Sequence, residues 1–150
     1  MSQYRTAFRS LFIAGFLAVG LSACNTMGNS NMVVTKTQMN ASHEVPPNSS
    51  SGTGMIETTF DKSTNMLSWK LHYSGLTGPA VAAHFHGPAA MGANSGVVVP
   101  FQNPISDGLE GHATLTAAQA ADFLAGKWYA NVHTAANKGG EIRGQVMPGM

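Results

Sequence analysis

Between Leu67 and Tyr73 apolar and polar side chains alternate without a break. Leu67, Trp69, Leu71 and Tyr73 fall on one side, and Ser68, Lys70 and His72 on the other. A period of two residues marks a half-buried β-strand, because successive side chains point to opposite faces. Weaker versions of the pattern recur along the chain. Met32 to Met39 is β-branched and partly alternating, and Met55 to Phe60 repeats it. The first run is stopped at His43-Glu44-Val45-Pro46-Pro47, where neither proline can donate to a ladder. Val81 to Pro88 (V-A-A-H-F-H-G-P), Gly96 to Phe101 and Gly108 to Leu115 continue the series, with Pro100 marking an edge or strand end. Trp128 to His133 and Glu141 to Met147, joined by the turn A-A-N-K-G-G, complete it.

One segment changes period. Thr116 is a good N-cap, Gln119 completes a capping box three residues later, and Gly126 suits a C-terminal stop. The expected apolar stripe of this helix is Ala117, Ala120, Ala121 and Leu124. The pattern therefore predicts an all-β fold. It would be an immunoglobulin-like, Greek-key antiparallel sandwich of about seven or eight strands with one short helix. Trp69 and Trp128 fall on its inner faces.

Composition agrees and narrows the function classes. A chain of 150 residues suits one domain with a real core. Only 10% of it is charged and the formal net charge is +1, with no basic patch to neutralise phosphates, so nucleic acid is not an expected partner. The first residues read as an address. Arg5 and Arg9 precede the apolar run Leu11 to Leu21, which is too short for the roughly 20 residues of a spanning helix but right for a secretory leader. The run ends in Leu21-Ser22-Ala23-Cys24, which resembles a bacterial lipobox in which Cys24 is lipidated. Cys24 is the sole cysteine, so an internal disulfide is excluded. Asn25, in place of Asp, favours outer-membrane sorting by resemblance to Gram-negative lipoproteins. The expected organisation is a signal peptide over 1–23, a tether over 24–31 and a domain over 32–150.

Four separated motifs carry a further resemblance. They are Glu44-Val45-Pro46-Pro47, Ala83-His84-Phe85-His86-Gly87-Pro88, Asn131-Val132-His133-Thr134 and Gly140-Glu141-Ile142-Arg143-Gly144-Gln145. Their order and spacing resemble the CHRD domain, a module named from chordin and widespread in bacterial secreted proteins and lipoproteins. The resemblance implies an extracytoplasmic all-β sandwich and defines little chemistry, since fold does not supply function.

The motif residues do suggest chemistry. His84 and His86, one residue apart on a strand, must point to the same side, and alternation puts His133 on the polar side of its own strand. Tyr129, Asn131, Glu141, Arg143 and Gln145 likewise face away from the core. If these strands share a sheet, three imidazoles converge, a set that suits copper or zinc, with Glu141 as a partner orienting a ring. This is similar to the copper side of Cu/Zn superoxide dismutase, but the disulfide and the long zinc-binding loop are missing, so dismutase activity is not carried over. The alternative is structural: the histidines hydrogen-bond loop backbone, and Glu141 and Arg143 form a salt-bridged pair. His43, His72 and His112 stand alone, and the methionines form no M-x-M cluster.

No G-x-S-x-G elbow, phosphate loop, C-x-x-C or H-E-x-x-H motif occurs. The expectation is a lipid-anchored, periplasm-facing module of the outer membrane, non-catalytic, that binds or supports structure. Its motif residues would be Glu44, Asn131, Glu141 and Arg143. The other reading is a small copper or zinc protein using His84, His86 and His133, with redox activity open.

Overall fold

The computed structural model describes residues 31–149. The leader, Cys24 and all of the tether but Asn31 lie outside the described residues. Eight strands and one helix follow the sequence pattern closely. They are β1 (Met32–Asn40), β2 (Thr53–Asp61), β3 (Met66–Ser74), β4 (Ala80–His86), β5 (Val97–Pro100), β6 (Leu109–Thr114), α1 (Ala117–Leu124), β7 (Trp128–Thr134) and β8 (Ile142–Val146). A single 3-10 turn, Ala41–His43, follows β1 and has no periodic signal in the sequence.

All the pairings are antiparallel, and the order is β5-β4-β7-β8-β1-β2-β3-β6. The all-β, antiparallel expectation holds. The two layers are the halves of one continuous sheet that curls toward a barrel. β1, β2 and β3 pair along their full lengths. β1 meets β8, by contrast, through Asn40↔Arg143 alone. Gly144 permits the close approach at this seam, since a Cβ there would lie 2.4 Å from the Gln38 carbonyl oxygen.

The core lies between the two halves. Trp69 from β3 stacks on Phe101 with ring centres 4.8 Å apart and meets Phe85 of β4 edge-on at 5.3 Å. Trp128 is fully enclosed, packed against Phe85 and against Phe123 of α1. Edge-to-face and offset aromatic contacts of this kind add to the area they bury. Helix α1 has the expected capping box: Thr116 Oγ1 accepts from the Gln119 N–H, and Gln119 Oε1 accepts from the Thr116 N–H. Gly126 follows with φ +71, the left-handed conformation that ends many helices.

The buried stripe of α1 is a correction to the sequence reading. Ala120 and Phe123 are buried, while Ala117, Ala121 and Leu124 are exposed. The large ring of Phe123 reaches the aromatic core beside Phe60 and Trp128, and this rotates the helix away from an alanine face. No helix among the described residues is long and apolar enough to cross a membrane.

Candidate functional site

Strands β4, β7 and β8 lie side by side, so the residues that alternation put on one face do share it. The register aligns His86, Tyr129 and Gln145 in one row and His84, Asn131 and Arg143 in the next, with His133 beside Ala82. This face points away from the aromatic core, yet it is not open to solvent. Tyr129, Asn131, His133 and Arg143 are all buried, as is every residue of β7. The reading of these residues as an outer face is thereby corrected: a second layer of loops covers them.

The 87–96 loop forms most of that cover, and Arg143 ties it down. Its Nη1 donates to Asn94 Oδ1 at 2.9 Å and its Nη2 to the Ala93 carbonyl at 2.7 Å. The guanidinium carbon sits 3.4 Å from the centre of the Tyr129 ring. That ring is also parallel to the His86 imidazole, with centres 4.7 Å apart. The Tyr129 hydroxyl accepts from the Ser95 N–H, and Gln145 Nε2 donates to the carbonyls of Ala89 and Gly126. A planar, permanently charged arginine suits this place, since it stacks and forks its hydrogen bonds at once.

Glu141 stands apart from the histidines. Its Oε1 accepts from the Ser50 hydroxyl at 2.6 Å and the Thr77 N–H at 2.7 Å. Its Oε2 accepts from the hydroxyls of Thr77 and Thr134 and from the Asn137 amide. The carboxylate bonds neither a histidine ring nor Arg143, so both sequence readings of Glu141 give way to a third. Burial works against its ionisation, but the donors from Ser50, Thr134 and Thr77 outweigh it and hold the carboxyl at about 2.

Glu44 is the opposite case. It is buried with Oε1 lacking a hydrogen-bond partner, and its carboxyl packs against Gly140, where an added Cβ would collide with it. Burial raises it to about 7, against the lowering pull of Arg143. Glu44 and Arg143 also line a cleft of about 850 Å³ over the β1–β8 seam, walled by Val34, Val45, Met91 and Met147.

The three histidines come together. The ring nitrogens that face one another all lie within 4.8 Å. His84 Nδ1 is 3.2 Å from His133 Nε2. Asn131 Oδ1 lies 3.0 Å from His86 Nε2 and 2.9 Å from His133 Nε2. The outward nitrogens meet backbone: His86 Nδ1 is 3.0 Å from the Ser95 carbonyl and His133 Nδ1 is 2.9 Å from that of Lys138. Burial, with His133 and His86 beside it, pushes the half-buried His84 down to about 4. Burial also lowers His86, although its bonds to Ser95 and Asn131 oppose this. His43, His72 and His112 lie elsewhere. His43 and His112 are exposed, and His72 Nδ1 is 3.1 Å from Asp107.

The face of Tyr129 is legible in the sequence, since it shares the alternation of Asn131 and His133, but its stacking between His86 and Arg143 is not. Ser50, Thr77 and Asn94 sit in loops, where no periodicity singles them out.

With residues of three motifs on the covered face of β4, β7 and β8 and Glu44 of the fourth beside Arg143, the chain is a small all-β domain. The CHRD domain family model matches residues 35–146, and the chain belongs to that family. No curated protein and no solved structure matches it.

Proposed function

We propose that this chain is a lipid-anchored CHRD module of the bacterial outer membrane, facing the periplasm, whose work is binding and support and not catalysis. The observation that carries the reading is the use made of its polar residues. Arg143, Glu141, Tyr129 and Gln145 are each engaged in fastening loops onto the sheet. Beside them a cleft of about 850 Å³ is left, within the ~300–1,000 Å³ usual for ligand sites. A rigid domain with a concave surface, held near a membrane by a tether, suits capture of a ligand at the envelope. The attachment rests on Cys24 in Leu21-Ser22-Ala23-Cys24. Acylation supplies the anchor, because removal of Arg5 and Arg9 leaves acidic side chains in slight excess and no attraction to anionic lipid.

Metabolic labelling with a fatty acid, combined with density-gradient separation of the envelope, tests the proposal. Wild-type protein should carry label and sediment with outer membrane. Cys24→Ser should carry none and remain unprocessed or soluble. Unlabelled wild-type protein in the soluble periplasmic fraction would overturn the reading.

A further inference from the structure

Hydrogen bookkeeping in the histidine cluster leaves a conflict. A neutral imidazole carries one N–H and one lone pair. The Ser95 and Lys138 carbonyls can only accept, so they fix the N–H of His86 and of His133 on Nδ1. Each Nε2 is then a bare lone pair. Both lone pairs are aimed at Asn131 Oδ1, itself an acceptor, at 3.0 and 2.9 Å. With the Asn131 amide oxygen turned inward, three electron-rich atoms face one another in a buried place, and His84 Nδ1, 3.2 Å from His133 Nε2, is the one neighbouring ring nitrogen able to offer a proton. A cation at their centre satisfies all three.

The outward contacts point the same way. Metal-binding histidines almost always donate their second nitrogen to a carbonyl or carboxylate, which fixes the tautomer and aims the ring. Here two backbone carbonyls from separate loops do so. Metal–nitrogen bonds of roughly 2.0–2.1 Å place neighbouring ligand atoms about 2.9–3.4 Å apart. Three separations among His84, His133, His86 and Asn131, at 3.2, 3.0 and 2.9 Å, fall in that range, and the three histidine donors, all within 4.8 Å of one another, need close only slightly further around an ion.

We propose that His84 Nδ1, His86 Nε2 and His133 Nε2 bind a divalent late transition-metal ion, with Asn131 Oδ1 as a fourth donor. The proposal rests on the reading of this chain as a binding module and gives it a metal site distinct from the cleft, which none of these three histidines lines. All four donors are uncharged, and the nearby Arg143 adds positive charge. Attraction to a carboxylate is therefore not the source of affinity, and the intrinsic preference of nitrogen ligands decides. That preference puts Cu(II) first and Zn(II) after it. Half-buried His84 forms the solvent side of the site, and the 87–96 loop, through Ser95, forms the back.

The test uses full-length protein extracted in detergent, stripped with a chelator and titrated with Cu(II) and, separately, Zn(II). Wild type should bind one equivalent of each, Cu(II) more tightly, with nitrogen hyperfine structure in the Cu(II) resonance spectrum. His86→Ala should weaken binding by at least about 100-fold, beyond the roughly 10–100-fold that loss of an outer partner costs. His112→Ala should bind as wild type does. If His86→Ala fails to fold, His84→Gln on the half-buried ring gives the same reading. Asn131→Asp should tighten binding by placing a carboxylate at the fourth position. A different result overturns the proposal: equal, weak binding by wild type, His86→Ala and His84→Gln, with Asn131→Asp changing only the melting temperature. That result fits an Asn131 amide turned to donate from Nδ2 to both rings as part of a structural network. Fatty-acid labelling of the same preparations separates the two readings. Labelled protein that binds no metal removes only the metal site, and unlabelled protein that binds metal removes only the anchor.

Discussion

The hydroxyls of Thr35 and Thr58 meet at 2.7 Å across β1 and β2, on the face that looks into the core. Both residues are buried, and each hydroxyl is the other's partner. Replacing one alone leaves the other without water or a bond. Thr35→Val or Thr58→Val should each lower stability by about 1–3 kcal/mol. The double Thr→Val variant, isosteric and with nothing left unpaired, should recover most of that loss. Denaturant unfolding of the three variants measures the recovery, and a double variant as weak as the sum of the singles would contradict the pairing.

The aromatic core sets a second expectation. Trp128→Ala removes the most enclosed large side chain and should cost about 3–5 kcal/mol. Gly111→Ala reaches the same core from the other direction. A Cβ at Gly111 would sit 2.4 Å from the Trp69 ring, so a single methyl should destabilise by about 1–3 kcal/mol. Tryptophan fluorescence during unfolding would report both effects, and an unchanged melt for Gly111→Ala would rule out this packing of Trp69.

Glu141 predicts acid lability. Its folded carboxyl titrates at about 2, below the ordinary 4.5, because hydroxyl and amide donors favour the charged form. The unfolded chain therefore binds the proton first as pH falls. The resulting stability is complete above pH ~4.5, fades below it and is gone near pH ~2, with a full size of about 3 kcal/mol. Glu141→Gln should lose most of this at neutral pH and show a flatter profile between pH 4.5 and 2. Equal acid midpoints for variant and wild type would count against the network.

Glu44 works with the opposite sign. Burial raises its folded carboxyl from 4.5 to about 7, so the folded state holds the proton more tightly than the unfolded chain. Its contribution is present below pH ~4.5 and is lost as pH rises to ~7. Wild type compared with Glu44→Gln should therefore lose on the order of 2 kcal/mol between pH 5 and 8. The comparison isolates Glu44 from His84 and His86, whose lowered values give stability that grows as pH rises toward 6.5. A difference that is constant with pH would mean that Glu44 is charged throughout.

Much of this was readable in the chain because alternation is a strong physical signal. Leu67 to Tyr73 lies in β3, Pro100 ends the edge strand β5, and the H-x-H pair shares a face with Asn131 and Arg143. What alternation cannot report is a third layer. It separates core from non-core and turns Tyr129, Asn131 and Arg143 away from the core, but it does not show the loops that bury them. Loop cover depends on single hydrogen bonds such as Arg143 to the Ala93 carbonyl, which have no period. The partners of Glu141 were hidden for the same reason, since Ser50 and Thr77 precede it by 91 and 64 positions. The stripe of α1 failed differently: Phe123 outweighs three alanines in apolar area, and burial follows area.

Those sequence distances give Glu141 a role that disulfide-bonded domains assign to sulfur. By gripping Ser50 and Thr77 at once, one carboxylate closes long loops of chain, as a covalent bridge would. The sole cysteine of the sequence, Cys24, lies outside the domain, so no thiol oxidation is needed to mature the fold. The domain should reach the same stability in reducing and oxidising surroundings, and its cross-link opens to protons and not to thiols.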